Sequence, residues 1–334
     1  MKNFLIIALI IAAAANITAS TLPPHLINLP TEADRQLEQL VRPLFFELPI
    51  TQHAIQAVHD RCIATQQAND VTFTTRDNYR IAGLYFKRPE AKFNLLCING
   101  YMFEQTPPME WCAPFAQIFA QANILLFDWR GFCKSEGYHG LLYKNSFGMD
   151  AWQDIQAATD FIRSDNNLPL VSMGLCMGAG QLVNATLQAE AQGLAHADIL
   201  VLNGIFSRFS DIFARFHLAL RSPFAKLLFH SGVGRYVFSE LMSGSLFQLN
   251  PIDLIKDIKT PCLFQHYTQD TFVPQAEMMA VFEQATCTKQ VMLSQQGRHV
   301  RIHKYVPAQL RDGVCSFLWA TLAASPSSQP HVVA

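Results

Sequence analysis

From residue 71 onward the apolar positions fall into short runs separated by turn residues. VTFTT (71–75) alternates, RDNY (76–79) makes a turn, and RIAGLYFKR (80–88) alternates again, which predicts a β-hairpin. FNLLCING (93–100), ANILLFDWRG (122–131), PLVSMG (169–174), ADILVLNG (197–204), PCLFQHYTQD (261–270) and KQVMLSQQG (289–297) are apolar stretches of strand length ending in turn residues. Between them, MEWCAPFAQIFAQ (109–121), AWQDIQAATDFIRSD (151–165), GAGQLVNATLQAEA (178–191), PQAEMMAVFEQA (274–285) and VPAQLRDGVCSFLWATL (306–322) carry helical spacing. A hairpin followed by strand–helix alternation predicts an α/β fold, a mainly parallel sheet with helices on both faces.

Outside this alternation the pattern changes. MKNFLIIALIIAAAANITAS places one lysine before an apolar run and small residues after it, the layout of a signal peptide over 1–19, with cleavage after Ala19 or Ala15. The bland alternative is an uncleaved anchor. The run is short for a bilayer, and no second stretch is long and apolar enough to span one. An exported protein, periplasmic or secreted, with no stable membrane span after cleavage is therefore expected. Residues 22–70 read as a helical appendage, with Thr31 and Thr51 as helix starts. The core is expected over 71–204 and 261–322. Between its parts, 205–260 holds Phe206, Phe209, Phe213, Phe216, Phe224, Phe229, Phe238 and Phe247. A structureless connection of that length is suspect, so a helical lid is expected there, its last helix starting at Asn250-Pro251. The tail 323–334 reads as disordered.

Composition narrows the partners. Half the residues are apolar, and 25 basic side chains nearly balance 26 acidic ones for a net charge of −1. No basic stripe is present, which argues against nucleic acid. Eight cysteines in an exported chain raise the question of disulfides, but their spacing shows no CxxC and no zinc pattern. Cys97 and Cys262 fall in apolar strands, where a buried thiol is the usual finding. The pairing stays open, as does the oligomeric state.

The chemistry concentrates where PLVSMG ends. In Gly174-Leu175-Cys176-Met177-Gly178 a lone cysteine sits at a strand-to-helix turn between small residues that tolerate a sharp backbone. At a helix N-terminus the unsatisfied N–H groups favour a thiolate, the nucleophilic form of cysteine. Five motifs then occur in order: NGY (99–101), DWRGFCKSEG (128–137), GLCMG (174–178), YTQDTFVP (267–274) and GRH (297–299). On these motifs the chain, from Val71 to about Leu322, resembles the α/β-hydrolase superfamily. The resemblance implies a nucleophile–acid–histidine order met by Cys176, Asp270 and His299, and an oxyanion hole from the main-chain N–H groups of Tyr101 and Met177. Cysteine in the elbow is the pattern of dienelactone hydrolases, polyhydroxyalkanoate synthases and some acyl-CoA amino-acid acyltransferases. Asn99-Gly100 stands where the family usually has His-Gly.

The implied function is hydrolysis of carboxylic esters, thioesters or lactones of an apolar acyl group, a small-molecule substrate, through an acyl-enzyme. An acyltransferase using the same cysteine and an inactive binding protein on the same scaffold are the alternatives. No metal is implied, since no His/Asp/Glu cluster has ligand spacing, and no other cofactor, since no GxGxxG opens a helix. His303 is a rival for His299 and is otherwise expected as a surface or helix histidine. Other histidines, His139 and His230 among them, are expected on the surface. Asp128 and Arg130 are expected to hold the loop after the fourth strand. Arg208, Arg215 and Arg221 are expected to bind an anion or to lie on a solvated face, the latter favoured.

Overall fold

The computed structural model describes residues 68–100, 115–132, 134–136, 148–215, 227, 230–231, 247–300 and 302–324. The expected signal peptide, nearly all of the appendage, Tyr101, His139, Arg221 and the middle of the expected lid lie outside these residues. The hairpin is β1 (Asn69–Thr74) and β2 (Arg80–Phe86). The strand begins at Asn69, inside the range expected for the appendage, because Asn69 still pairs with Tyr85 of β2. After it come β3 (Phe93–Ile98), β4 (Ala122–Phe127), α1 (Trp152–Asp165), β5 (Leu170–Leu175), α2 (Met177–Gln192) and β6 (Ile199–Asn203). They are followed by α3 (Phe209–Arg215), α4 (Pro251–Leu254), β7 (Cys262–Tyr267), α5 (Gln275–Gln284), β8 (Lys289–Ser294), α6 (Ile302–Tyr305) and α7 (Pro307–Ala324).

Among the described residues the sheet has eight strands in the order β1-β2-β4-β3-β5-β6-β7-β8. β1–β2 and β2–β4 are antiparallel and every later pair is parallel. All positions of β3, β4, β5 and β6 are buried, which is why these strands read as unbroken apolar runs rather than alternating ones. Successive side chains serve opposite faces. Leu96 and Ile98 join the cluster under α1, α2 and α5, while Leu95 and Cys97 join the one under 115–119, α6 and α7.

β3 has β4 on one side and β5 on the other, so the chain leaves the strand order in opposite directions there. The strand order thus reverses between β3 and β5, the point at whose carboxyl ends open α/β sheets present their sites.

The loop after β4 is held by charge. Arg130 is buried, donates to Asp154 from Nε (2.8 Å) and Nη2 (2.6 Å), and reaches Asp77 from Nη1 (2.5 Å). Ser135 Oγ donates to the Asp128 carbonyl at 2.6 Å, and Lys134 N–H to the Asp128 carboxylate at 3.4 Å. Both residues are thus structural, as expected from the sequence.

Both ends of the expected lid are core. Phe206, Phe209 and Phe213 are buried, and Phe247 packs between Phe209 (5.2 Å between ring centroids) and Phe213 (5.1 Å). Phe216, Phe224, Phe229 and Phe238 lie outside the described residues. No helix of the described residues is long and apolar enough to cross a membrane.

Candidate active site

Cys176 occupies the turn between β5 and α2 with φ 51° and ψ −110°, a left-handed backbone that non-glycine residues avoid. Its N–H donates to the Asn203 carbonyl at 2.8 Å, and its carbonyl accepts from Ala179 N–H at 3.0 Å. The turn is as tight as its glycines permit. A Cβ on Gly174 would lie 2.6 Å from Ala179 Cα, and one on Gly178 would lie 2.5 Å from the carbonyl oxygens of Ile98 and Asn99. Cys176 is buried, with 8% of its surface exposed.

Asp270 and His299 come from the loops after β7 and β8. His299 Nδ1 lies 2.6 Å from Asp270 Oδ2, and the other carboxylate oxygen accepts the N–H groups of Phe272 (2.9 Å) and Val273 (3.0 Å). The Asp270 side chain is almost fully buried. Burial works against its charge, yet the hydrogen bond and charge of His299 outweigh it and hold its pKa below the ordinary carboxylate range. At His299 burial again opposes charge, and the Cys176 sulfur and Asp270 carboxylate together raise the imidazole to about 10. Nε2, the ring nitrogen away from Asp270, is buried, and the Cys176 side chain is the neighbour that raises the ring most. The structure thus brings Cys176, Asp270 and His299 together, the three being separated by 94 and 29 positions (270 − 176; 299 − 270) in the chain.

Two positions complete the surroundings. Met177 is the first residue of α2, so its N–H has no acceptor within its own helix. Tyr101 lies outside the described residues, but Gly100 immediately before it is close. A Cβ there would fall 3.3 Å from Cys176 Cβ, so the loop after β3 runs beside the nucleophile turn. The loop carrying His299 is strained as well, since Val300 has φ 49°. It abuts Gly204, where a Cβ would meet Val300 Cγ1 at 2.9 Å.

Sequence reasoning placed several residues wrongly. His303 is on α6, the helix position expected for it, yet it is buried with its ring 4.9 Å from that of Phe115, so the surface alternative does not hold. His266, in the middle of an apolar strand, is buried beside Asp270. Burial lowers its pKa and His299 adds to this, while Asp270 opposes, so the second imidazole behind the carboxylate is neutral. Arg215 does not lie on a solvated face. Its Nε donates to the Phe272 carbonyl at 2.7 Å, and its Nη1 pairs with Glu277 at 2.6 Å. Phe272 in turn sets its ring edge-on to His299 at 5.2 Å. Arg215 therefore ties α3 to the loop that orients Asp270. Arg208 makes a long, exposed contact with Asp253 (3.7 Å), and His230 is exposed.

His299 is raised from 6.5 to about 10, so the stability it lends is complete below pH 6.5 and disappears as pH rises through about 10. Asp270 is lowered, so its contribution is present above the ordinary carboxylate pKa and disappears as pH falls through its depressed value. Cys176→Ala and Asp270→Asn each remove one raising influence. Proton NMR titration of the His299 ring is expected to show a lower pKa in both variants than in the parent. An unchanged value in Cys176→Ala would mean the sulfur does not face the ring.

No family profile matches the chain. It is 25% identical over 281 residues to the uncharacterized protein YfhR of Salmonella typhi, covering 77% of this chain and 84% of that one. The solved esterase Pf2001 of Pyrococcus furiosus superposes with a TM-score of 0.58 at 19% identity, over 76% of this chain and 91% of its own. The α/β hydrolase GrgF of a Penicillium species gives 0.58 at 14% identity, over 77% and 99%. Acetyl xylan esterase 1 of a Thermoanaerobacterium species gives 0.54 at 15% identity, over 88% and 99%. Together with the strand order and the strained turn after β5, these similarities define the fold as that of the α/β hydrolases.

Proposed function

We propose that the protein hydrolyses carboxylic esters, thioesters or lactones of an apolar acyl group, with Cys176 as nucleophile, His299 as proton carrier and Asp270 as its orienting acid. The observation that carries this reading is His299, which hydrogen-bonds a buried carboxylate through one ring nitrogen and presents the other toward the Cys176 sulfur. An inert structural cysteine needs neither partner. The names of two structural neighbours, an esterase and an acetyl xylan esterase, support ester cleavage in general. Phe272 against His299 supports an apolar acyl group.

In the proposed reaction the Cys176 sulfur, paired with the His299 imidazolium, attacks the acyl carbon, and the carbonyl electron pair moves onto oxygen. The N–H groups of Met177 and Tyr101 hold that oxyanion. As the carbonyl re-forms, the bond to the leaving group breaks and His299 Nε2 protonates the departing oxygen or sulfur. Water then attacks the thioester, giving its proton to His299, and the cleavage of the carbon–sulfur bond releases the acid and the thiolate. Asp270 keeps its charge throughout and fixes the ring.

A panel of p-nitrophenyl and thioester substrates of increasing acyl length tests this reading, with intact mass spectrometry of quenched protein. The expected result is release of free acid and an acyl mass on the peptide containing Cys176. Release that depends on an added amine or alcohol would mark an acyltransferase instead. No turnover and no adduct with any member of the panel would leave only the scaffold and sink the proposal.

A further inference from the structure

Two cysteines that the proposed chemistry does not use meet at the far end of β7. Cys262 opens that strand and is buried, and Cys287 lies two residues before β8 and is half-buried. The backbone fixes them as neighbours. Cys262 N–H donates to the Thr288 carbonyl at 2.9 Å, and Cys262 stands opposite Lys289 in the parallel register. Both side chains belong to the same apolar cluster, on one face of the sheet. Cys262 Sγ also reaches the Thr260 carbonyl at 3.3 Å. Asp270 follows the carboxyl end of β7, so the pair sits at the opposite edge of the sheet from the candidate active site.

We propose that Cys262 and Cys287 form a redox pair that closes to an intramolecular disulfide by exchange with a small-molecule disulfide such as oxidised glutathione. Cys287 is the more accessible of the two and is the attacking sulfur. The neighbouring Cys262 side chain holds Cys287 below the ordinary thiol pKa, while the proximity of Cys287 and burial push Cys262 well above it. The Cys287 thiolate attacks one glutathione sulfur, the glutathione S–S bond breaks, and one reduced glutathione leaves with the electron pair. Cys262 then gives up its proton and attacks the Cys287 sulfur of the mixed disulfide, expelling the second glutathione. Two protein thiols are oxidised, one glutathione disulfide is reduced to two thiols, and the two thiol protons leave with them.

The bond would tie the start of β7 to the start of β8 across α5, restricting the unfolded chain without touching the other edge of the sheet. Trypsin offers a direct readout, because cleavage after Lys259 and Lys289 leaves both cysteines on one peptide, Thr260–Lys289. The full chain is incubated with oxidised glutathione, blocked with iodoacetamide and digested without reductant. The expected peptide is lighter than its dithiol form by two hydrogen atoms and carries no alkyl group. In Cys262→Ser the glutathione adduct on Cys287 is expected to persist, and in Cys287→Ser residue 262 is expected to stay unmodified. The oxidised parent is also expected to melt several degrees above the reduced one, a gain absent from Cys262→Ser. Two alkyl groups on the parent peptide, or a glutathione adduct as stable in the parent as in Cys262→Ser, would overturn the proposal. Neither readout depends on catalysis, so the outcome is separate from that of the proposed function.

Discussion

Replacing Cys176 by alanine is expected to lower kcat/KM for any ester the protein turns over by about 10³-fold or more, with the fold intact. The sulfur is the only atom lost. The elbow depends on the glycines around it and on backbone bonds from Cys176 N–H and carbonyl, none of which alanine disturbs. Circular dichroism and the melting temperature should therefore match the parent while turnover collapses. Serine is the more informative change. A hydroxyl does not reproduce the influence of the sulfur that helps raise His299 to about 10, so the imidazole should titrate lower and act as a neutral base. The expected result is a slow enzyme whose rate rises with pH through the lowered His299 pKa. Cys176→Ala working as fast as the parent would remove sulfur from the mechanism altogether.

How much of this was legible in the sequence depends on where each interaction partner lies. The strands β3 to β6 announced themselves because they are buried on both faces, so their apolar runs are unbroken. The elbow was legible because only small residues fit a turn whose neighbours are backbone atoms at 2.5–2.6 Å from any added Cβ. Arg215 was not, because its partner is the main-chain carbonyl of Phe272, fifty-seven residues away, and a carbonyl leaves no mark on residue choice. In sequence it looks like Arg208, which makes only an exposed contact. His266 was hidden for a related reason: a histidine within an apolar strand reads as a defect until the loop that places Asp270 beside it is seen. The phenylalanines of 205–260 read more as core than as ligand contacts, and Phe206, Phe209, Phe213 and Phe247 do serve the core. Cys262 and Cys287 became a pair only through the β7–β8 register.

Gly178→Ala should be among the most damaging single-methyl additions in the protein. A Cβ there would sit 2.5 Å from two consecutive backbone oxygens, those of Ile98 and Asn99. Neither is the end of a flexible side chain, so neither gives way by changing a rotamer. The first turn of α2 has to move off the end of β3, which opens packing around Met177 and shifts Cys176 away from the loop at Gly100. Overpacking against rigid backbone of this kind is expected to destabilise the fold by about 3 kcal/mol or more, read as a lower urea midpoint at constant slope. Gly193→Ala is the control, since that residue caps the same helix at φ 64° with nothing within 4 Å of an added Cβ. It should cost only the left-handed backbone penalty, about 1–2 kcal/mol, and leave turnover unchanged. Equal midpoints for the two variants would show that the close approach of α2 to β3 is slack, and that the sharpness of the turn is not what positions the sulfur.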